Sequence, residues 1–332
     1  MPFAPTIKRL FTTFSVLSVL NTTLPVLANA EDSSHPAPND RYVLCEGARL
    51  HYVESGAGQP IVLLHGNDGT LQDFTMSIFD QLAGKYQTVA FDRPGHGDST
   101  MLTGAKSVTP ERQAQILHSA LIQLGVSRPI LVAHSWSGSL ALSYAVQYQN
   151  DLAGLVLLGG MAYETRGTKL LCRLALVPVL GSALGLVFKT LGRAWVRQQL
   201  EEAFMPDSAP RPYIERFLSS TFRLSQLKAV ASDEVTINRA LRNVSSSYAS
   251  ITVPVVIVTG DHDMTVPAQE HSYPLHQAIP RSHLIVVRDA GHELCFTRPQ
   301  EVMEAIDMAV RLSRSSDLAV TKPTVHGEIA QQ

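Results

Sequence analysis

Residues 129–138 read Pro-Ile-Leu-Val-Ala-His-Ser-Trp-Ser-Gly, and the rest of the chain organises around them. Pro129–Ala133 is aliphatic without polar alternation, the pattern of a strand covered on both faces. Trp136–Tyr148 has helical spacing. Between them stands Ala133-His134-Ser135-Trp136-Ser137-Gly138. A serine at a tight strand-to-helix turn is a nucleophile elbow. The turn strains the serine backbone, so the residues two before and two after must be small. Glycine usually fills both places; Ala133 and Ser137 fill them here. Such a turn sets the Ser135 hydroxyl above the sheet edge at a helix N-terminus, where free N–H groups favour developing negative charge. The plainer alternative is a serine that only caps a helix. Ser137 is the second candidate nucleophile, but Ser135 follows the strand more directly.

Similar aliphatic runs recur on both sides. Ile61–Leu64, Thr88–Phe91, Leu155–Leu158, Pro254–Thr259 and Leu284–Val287 read as strands. Leu71–Ala83, Pro110–Leu124 and about Arg298 to Leu312 read as helices, and Tyr42–Cys45 with Arg49–Glu54 as a hairpin. Strands separated by helix-length segments predict right-handed crossovers: an α/β fold with a mostly parallel central sheet and helices on both faces. One interruption, about Ala162–Ser250, holds no convincing strand. Leu170–Phe188 is strongly apolar and broken by Pro178, Gly181 and Gly185; Arg193–Phe204 and Tyr213–Leu224 look helical. We expect an inserted helical lid over 162–250, on the side where such sheets bind ligands. The plainer reading is extra helices packed on the core.

A serine hydroxyl needs a base, and the base an orienting acid. In this architecture both follow the nucleophile, acid first, each after a later strand. Strand 254–259 runs into Gly260-Asp261-His262-Asp263-Met264-Thr265-Val266-Pro267, and strand 284–287 into Asp289-Ala290-Gly291-His292-Glu293. His292, in a glycine-containing loop before the last helix, is the expected base. Asp261 and Asp263 compete as the acid, and Asp261-His262-Asp263 can also be read as metal ligands.

Taken together, these motifs resemble the α/β-hydrolase superfamily, in its serine-nucleophile branch with a helical lid, from Tyr42 to about Leu312. Members show G-x-x-D followed closely by Val-Pro, and the resemblance therefore implies Asp263 as the triad acid, with Asp261 as the alternative. His65-Gly66-Asn67 is similar to the family's loop after the third strand. By that match the backbone N–H groups of Asn67 and Trp136 form the oxyanion hole. Asp92-Arg93-Pro94-Gly95-His96-Gly97-Asp98-Ser99 looks like the family's D-x-x-G-x-G-x-S turn and is read as structural. Asn67 and Trp136 also resemble the halide-holding pair of haloalkane dehalogenases. Dehalogenation and epoxide opening, however, use Asp at the nucleophile, where this chain has Ser135. The resemblance implies a carboxylic-ester hydrolase working through an acyl-enzyme on small or apolar esters, with no cofactor or metal. C–C bond hydrolysis, acyl transfer and cofactor-free haloperoxidation use the same triad, and non-catalytic binding proteins share the fold.

Composition narrows the classes further. With 45% hydrophobic and 17% charged residues and a net charge of −2, the chain is neither disordered nor a basic nucleic-acid binder. Three cysteines, Cys45, Cys172 and Cys295, make no disulfide framework, although two of them could pair. Lys8 and Arg9, the apolar Leu10–Leu27 and Ala28-Asn29-Ala30 give the pattern of an export signal over 1–30, for a periplasmic or secreted protein. A retained membrane anchor is the alternative. The expected plan is signal 1–30, linker 31–41, catalytic core 42–161 and 251–313 split by the lid, and a loose tail 314–332. The expected partner is a small-molecule substrate, with transient membrane or lipid contact through the lid. No motif specifies an oligomeric state.

Overall fold

Strands apolar at every residue are stable only between two layers of helices. The computed structural model, which describes residues 40–101, 108–165, 169–177 and 180–320, has that arrangement. Eight strands form one sheet: β1 (Arg41–Cys45), β2 (Ala48–Ser55), β3 (Pro60–Leu64), β4 (Gln87–Phe91), β5 (Ile130–His134), β6 (Gly154–Leu158), β7 (Val255–Gly260) and β8 (Ser282–Val287). Their order is β1-β2-β4-β3-β5-β6-β7-β8. The first two pairings are antiparallel and every other is parallel. Residues 1–39, and with them the expected signal, lie outside the described residues.

Because side chains alternate across a strand, each aliphatic run feeds two cores. Val62, Leu64, Leu131, Leu157 and Ile257 pack with Ile116 and Leu117 of α3 (Pro110–Gln123) and Leu140 and Leu142 of α4 (Ser137–Tyr148). Ile61, Leu63, Val132, Val156 and Val258 pack on the opposite face. There they meet Phe74 of α1 (Gln72–Thr75), Leu82 of α2 (Phe79–Ala83) and Ile306 of the C-terminal helix.

Between β6 and β7 the chain forms α5 (Leu170–Ala175), α6 (Leu180–Leu191), α7 (Arg193–Phe204), α8 (Arg211–Thr221) and α9 (Leu224–Ser245). Val196, Leu200, Phe204, Tyr213 and Phe217 make a third, smaller core there. After β7 come α10 (Ser272–Ala278), α11 (Leu294–Thr297) and α12 (Pro299–Val320).

Three local expectations need correction. The segment 71–83 is two short helices. Ser77 turns its hydroxyl back on the carbonyls of Asp73 and Phe74 at 2.5 and 3.4 Å, and its N–H donates to Phe74 O, which closes α1. Leu224 opens the 22-residue α9 and does not end the helix before it. The last helix runs through 313 to Val320, seven residues into the expected tail. Ser313 does not stop it, because that serine is buried with its hydroxyl donating to Val310 O. Residues 321–332 lie outside the described residues. All three cysteines are free. No helix among the described residues is long and apolar enough to cross a membrane.

Topology then decides where chemistry can sit. From β3 the chain passes to β4 on one side, and β5 returns on the other side of β3. The loops leaving β3 and β5 therefore diverge and open a crevice at the strand ends. The register pairs Leu64 with Ala133, so His65-Gly66-Asn67 and His134-Ser135 leave the sheet at the same level. Removing core volume should be costly here and trimming the surface should not. Leu63→Ala should lower stability by about 2–5 kcal/mol in urea denaturation. Ile122→Ala, on the exposed face of α3, should stay within about 0.5 kcal/mol of the parent.

Candidate active site

The end of β5 is strained. Ser135 has φ +55°, a left-handed conformation that costs a non-glycine residue about 1–3 kcal/mol. The surroundings over-determine it. Ser135 N–H donates to Leu158 O, and Ser135 O accepts from the N–H groups of Gly138 and Met161. A Cβ on Gly138 would fall 2.8 Å from Gly160 Cα, so a third small residue is required after the serine. The two serines separate clearly. Ser137 is fully buried, its hydroxyl donating to His65 O at 2.5 Å, whereas Ser135 faces a cavity.

His292 lines the same cavity. Its Nδ1 lies 2.8 Å from Asp263 Oδ2, and both side chains are buried. The other oxygen, Asp263 Oδ1, accepts from the N–H groups of Thr265 and Val266 at 2.9 and 2.8 Å, which aims the carboxylate at the ring. Asp261 points outward and is bonded to His262, so Asp261, His262 and Asp263 do not converge on one point. Gly159, with φ +51°, makes room for the pair. A Cβ there would lie 2.9 Å from Asp263 Oδ2 and 3.0 Å from His292 Nδ1. Burial alone would depress the His292 imidazole, but the charges of Asp263, Glu293 and Asp68 and the Asp263 hydrogen bond raise it, to about 9. Neighbouring His134 is pushed down by burial to about 3, and its Nε2 meets His292 O at 3.2 Å. His134, His292 and Glu293 place one ligand-capable atom each within 4.8 Å of one another. In that group, however, His292 Nδ1 is already engaged by Asp263.

The β3 loop lies against the serine: a Cβ on Gly66 would sit 3.2 Å from Ser135 Cβ. Its orientation is set from behind by Arg93, a fully buried guanidinium. That group donates to Gly66 O at 2.8 Å, to His65 O at 3.2 Å and to Asp233 Oδ2 at 2.6 Å, and lies 4.2 Å over the Trp136 ring. A trans peptide points its C=O and N–H in opposite directions. With Gly66 O held by Arg93, the Asn67 N–H faces away from it. With Ser135 O held by Gly138 and Met161, so does the Trp136 N–H from that side. Neither amide donates a hydrogen bond among the described residues. His96, beside Arg93, is part of the same scaffold, its Nε2 2.7 Å from Asn67 O.

A profile of the alpha/beta hydrolase fold family matches residues 59–299. The chain belongs to this family. Among relatives of this α/β-hydrolase, Lipase 1 of Psychrobacter immobilis is 26% identical over 260 residues, covering 75% of this chain and 76% of the lipase. A 2-hydroxy-6-oxononadienedioate/2-hydroxy-6-oxononatrienedioate hydrolase of Paraburkholderia phymatum is 29% identical over 226 residues, covering 59% of this chain and 77% of that enzyme. In architecture, a thermophilic esterase from Thermogutta terrifontis superposes with a TM-score of 0.66 at 21% identity, over 82% of this chain and 98% of the esterase.

The α/β-hydrolase cavity measures about 400 Å³ and lies between the strand ends and α6–α9. Phe188, Trp195, Leu200 and Phe217 supply apolar walls; Asp68, Asp73, Glu234 and Glu293 supply acids, and among the described residues no Lys or Arg lines it. Several of these residues carry no motif that sequence could reveal. Glu234 accepts from Asn67 Nδ2 at 2.8 Å and from Lys169, tying α9 to the loop after β3. Tyr213 of α8 donates to Asp73, whose carboxyl burial raises well above its usual range. Burial also raises Glu293, to about 7. The His292 loop is itself pinned to α7, since His292 N–H donates to Ala203 O at 2.9 Å.

Burial lifts Asp233 to about 6 even with Arg93 beside it, because desolvation opposes the charged form of both partners. Cutting one partner is a different matter. Arg93→Met strands a buried carboxylate and should cost about 3–5 kcal/mol in urea denaturation at neutral pH. Arg93→Met with Asp233→Leu should recover most of that loss.

Proposed function

We propose that this protein is a serine hydrolase that cleaves carboxylic esters through an acyl-enzyme. One observation carries the reading: Ser135, on a strained turn, shares a cavity with an imidazole whose far nitrogen is held by a buried carboxylate at 2.8 Å. In this reading Ser135 Oγ attacks the ester carbonyl and His292 Nε2 takes the hydroxyl proton. Asp263 holds the tautomer and stabilises the imidazolium. The carbonyl oxygen becomes an oxyanion facing the N–H groups of Asn67 and Trp136. On collapse His292 returns the proton to the departing alcohol. A water, deprotonated by the same ring, then releases the acid.

The cavity lining bears on substrate class. The Paraburkholderia relative is named for cleaving a dioate, a doubly charged carbon skeleton. Among the described residues the lining holds four carboxyl side chains and no Lys or Arg, so a dianionic substrate would find only the His292 imidazolium to offset their repulsion. A neutral ester with an apolar portion fits the Phe188, Trp195 and Leu200 walls better. The export pattern of residues 1–30 supports a periplasmic or secreted setting; once those residues leave, the chain has 25 cationic and 29 anionic side chains.

A fluorophosphonate should label Ser135 stoichiometrically, and Ser135→Ala should lower kcat on a short-chain chromogenic ester by about 10⁴-fold or more. Retained turnover in that variant would remove the mechanism. The base must be neutral to accept a proton, and its folded pKa is raised to about 9. Hence kcat/KM should climb with pH through the alkaline range instead of levelling near pH 7. Glu293→Gln removes one of the charges that raise His292, so the same limb should move to lower pH.

A further inference from the structure

The outer face of the inserted helices is unlike the rest of the surface. Of sixteen large apolar side chains exposed among the described residues, eight fall between 170 and 195. They include Leu171 at 74%, Leu191 at 78% and Trp195 at 57% exposure. Scattered single apolar side chains are ordinary on a protein surface, but a concentration of this kind marks an interaction face. Charge on the same segment has one sign. Residues 165–200 contain Arg166, Lys169, Arg173, Lys189, Arg193 and Arg197 and not one Asp or Glu, in a chain that is acidic overall. Arg173, Lys189 and Arg193 are exposed and make no ion pair among the described residues. An apolar helix face bordered by cations lies in the headgroup region of an anionic bilayer; a protein partner would more often present polar groups in register.

This face is also continuous with the cavity. Trp195 is both more than half exposed and part of the cavity wall, and Phe188 of α6 lines the same wall 6.0 Å away, ring to ring. Covering α6 and α7 with a bilayer would therefore also cover part of the cavity wall.

We propose that α5–α7 dock this protein on anionic lipid bilayers and that its ester substrates are drawn from the bilayer. The second half of the statement rests on the serine-hydrolase reading; the first does not. Docking buries Leu171, Leu191 and Trp195 among acyl chains while the cations pair with headgroup phosphates. An ester dissolved in the membrane then reaches Ser135 without crossing water.

The chain has two tryptophans, and Trp136 is fully buried, so a change in tryptophan emission on binding reports Trp195 and not the apolar N-terminal segment. The full chain is titrated with phosphatidylglycerol vesicles and, separately, with phosphatidylcholine vesicles. With phosphatidylglycerol the emission should shift to the blue and acrylamide quenching should fall about threefold. Phosphatidylcholine, or phosphatidylglycerol in roughly 0.5 M salt, should give much weaker changes. Trp195→Phe should abolish the signal. Leu171→Glu with Leu191→Glu should lose the shift, keep its near-ultraviolet circular dichroism and its turnover of a soluble ester, and lose about tenfold on an ester embedded in the vesicles. Unchanged emission of the parent, or an equal shift in the double variant, overturns the docking. A normal shift without preference for the embedded ester overturns the substrate route alone. Failure to hydrolyse any ester, with the shift intact, counts against the hydrolase reading and leaves docking standing.

Discussion

A positive charge with no access to water is the constraint around which this molecule is arranged. Arg93 sits at the end of β4, buried under the loop from β3, against Gln113 of α3 and Asp233 of α9. Desolvating a guanidinium is expensive, so its donors must all be used and its charge must be matched. Satisfying them forces the carbonyls of His65 and Gly66 inward, brings one carboxylate from the inserted helices, and covers the flat face with Trp136. Each response fixes a part of the cavity wall or its support: the amide of Asn67, the seat of α9, and the first residue after Ser135. Asp92, next in chain, repeats the logic on the other side. Its carboxylate meets His51 Nδ1 and the N–H groups of Leu71 and Asp98, locking the antiparallel edge to the start of α1.

How much of this was legible beforehand depended on whether the signal was local. Strands buried on both faces announce themselves as runs such as Ile61–Leu64 and Pro129–Ala133, because nothing polar is tolerated on either side. Strand-end residues were equally visible. Ser135, Asp263 and His292 each follow such a run within a few positions, and the structure brings Asp263 and His292 into contact and Ser135 into their cavity. Contacts made across long separations left no pattern. Nothing near Glu234 indicates that it would reach Asn67, 167 residues away, nor does Tyr213 advertise Asp73. Gly159 carries no sequence signal beyond its place after a strand. Its need for a missing Cβ appears only when β6 lies beside β7, with Asp263 after β7 and His292 after β8 packed over it. Boundaries failed where serine chemistry was ambiguous: Ser77 ended a helix and Ser313 did not.

The two halves of the site obey different physics. Sheet-borne groups are held by register and backbone hydrogen bonds, which tolerate little displacement. Helix-borne groups, Glu234, Phe188 and Trp195 among them, depend on a smaller core and on ion pairs such as Lys169 with Glu234. Ser135, Asp263 and His292 thus stand on sheet-borne loops, and much of the cavity wall stands on the inserted helices. Relatives in this family carry names as different as lipase and dioate hydrolase.

The hydrogen bond from His292 N–H to Ala203 O gives the insertion a fixed point. Gly291 reinforces it, since a Cβ there would fall 2.2 Å from Met205 O and hold the two backbones apart. The C-terminal end of α7 and the loop that carries His292 therefore hold a common position, and a displacement of either is shared by the other.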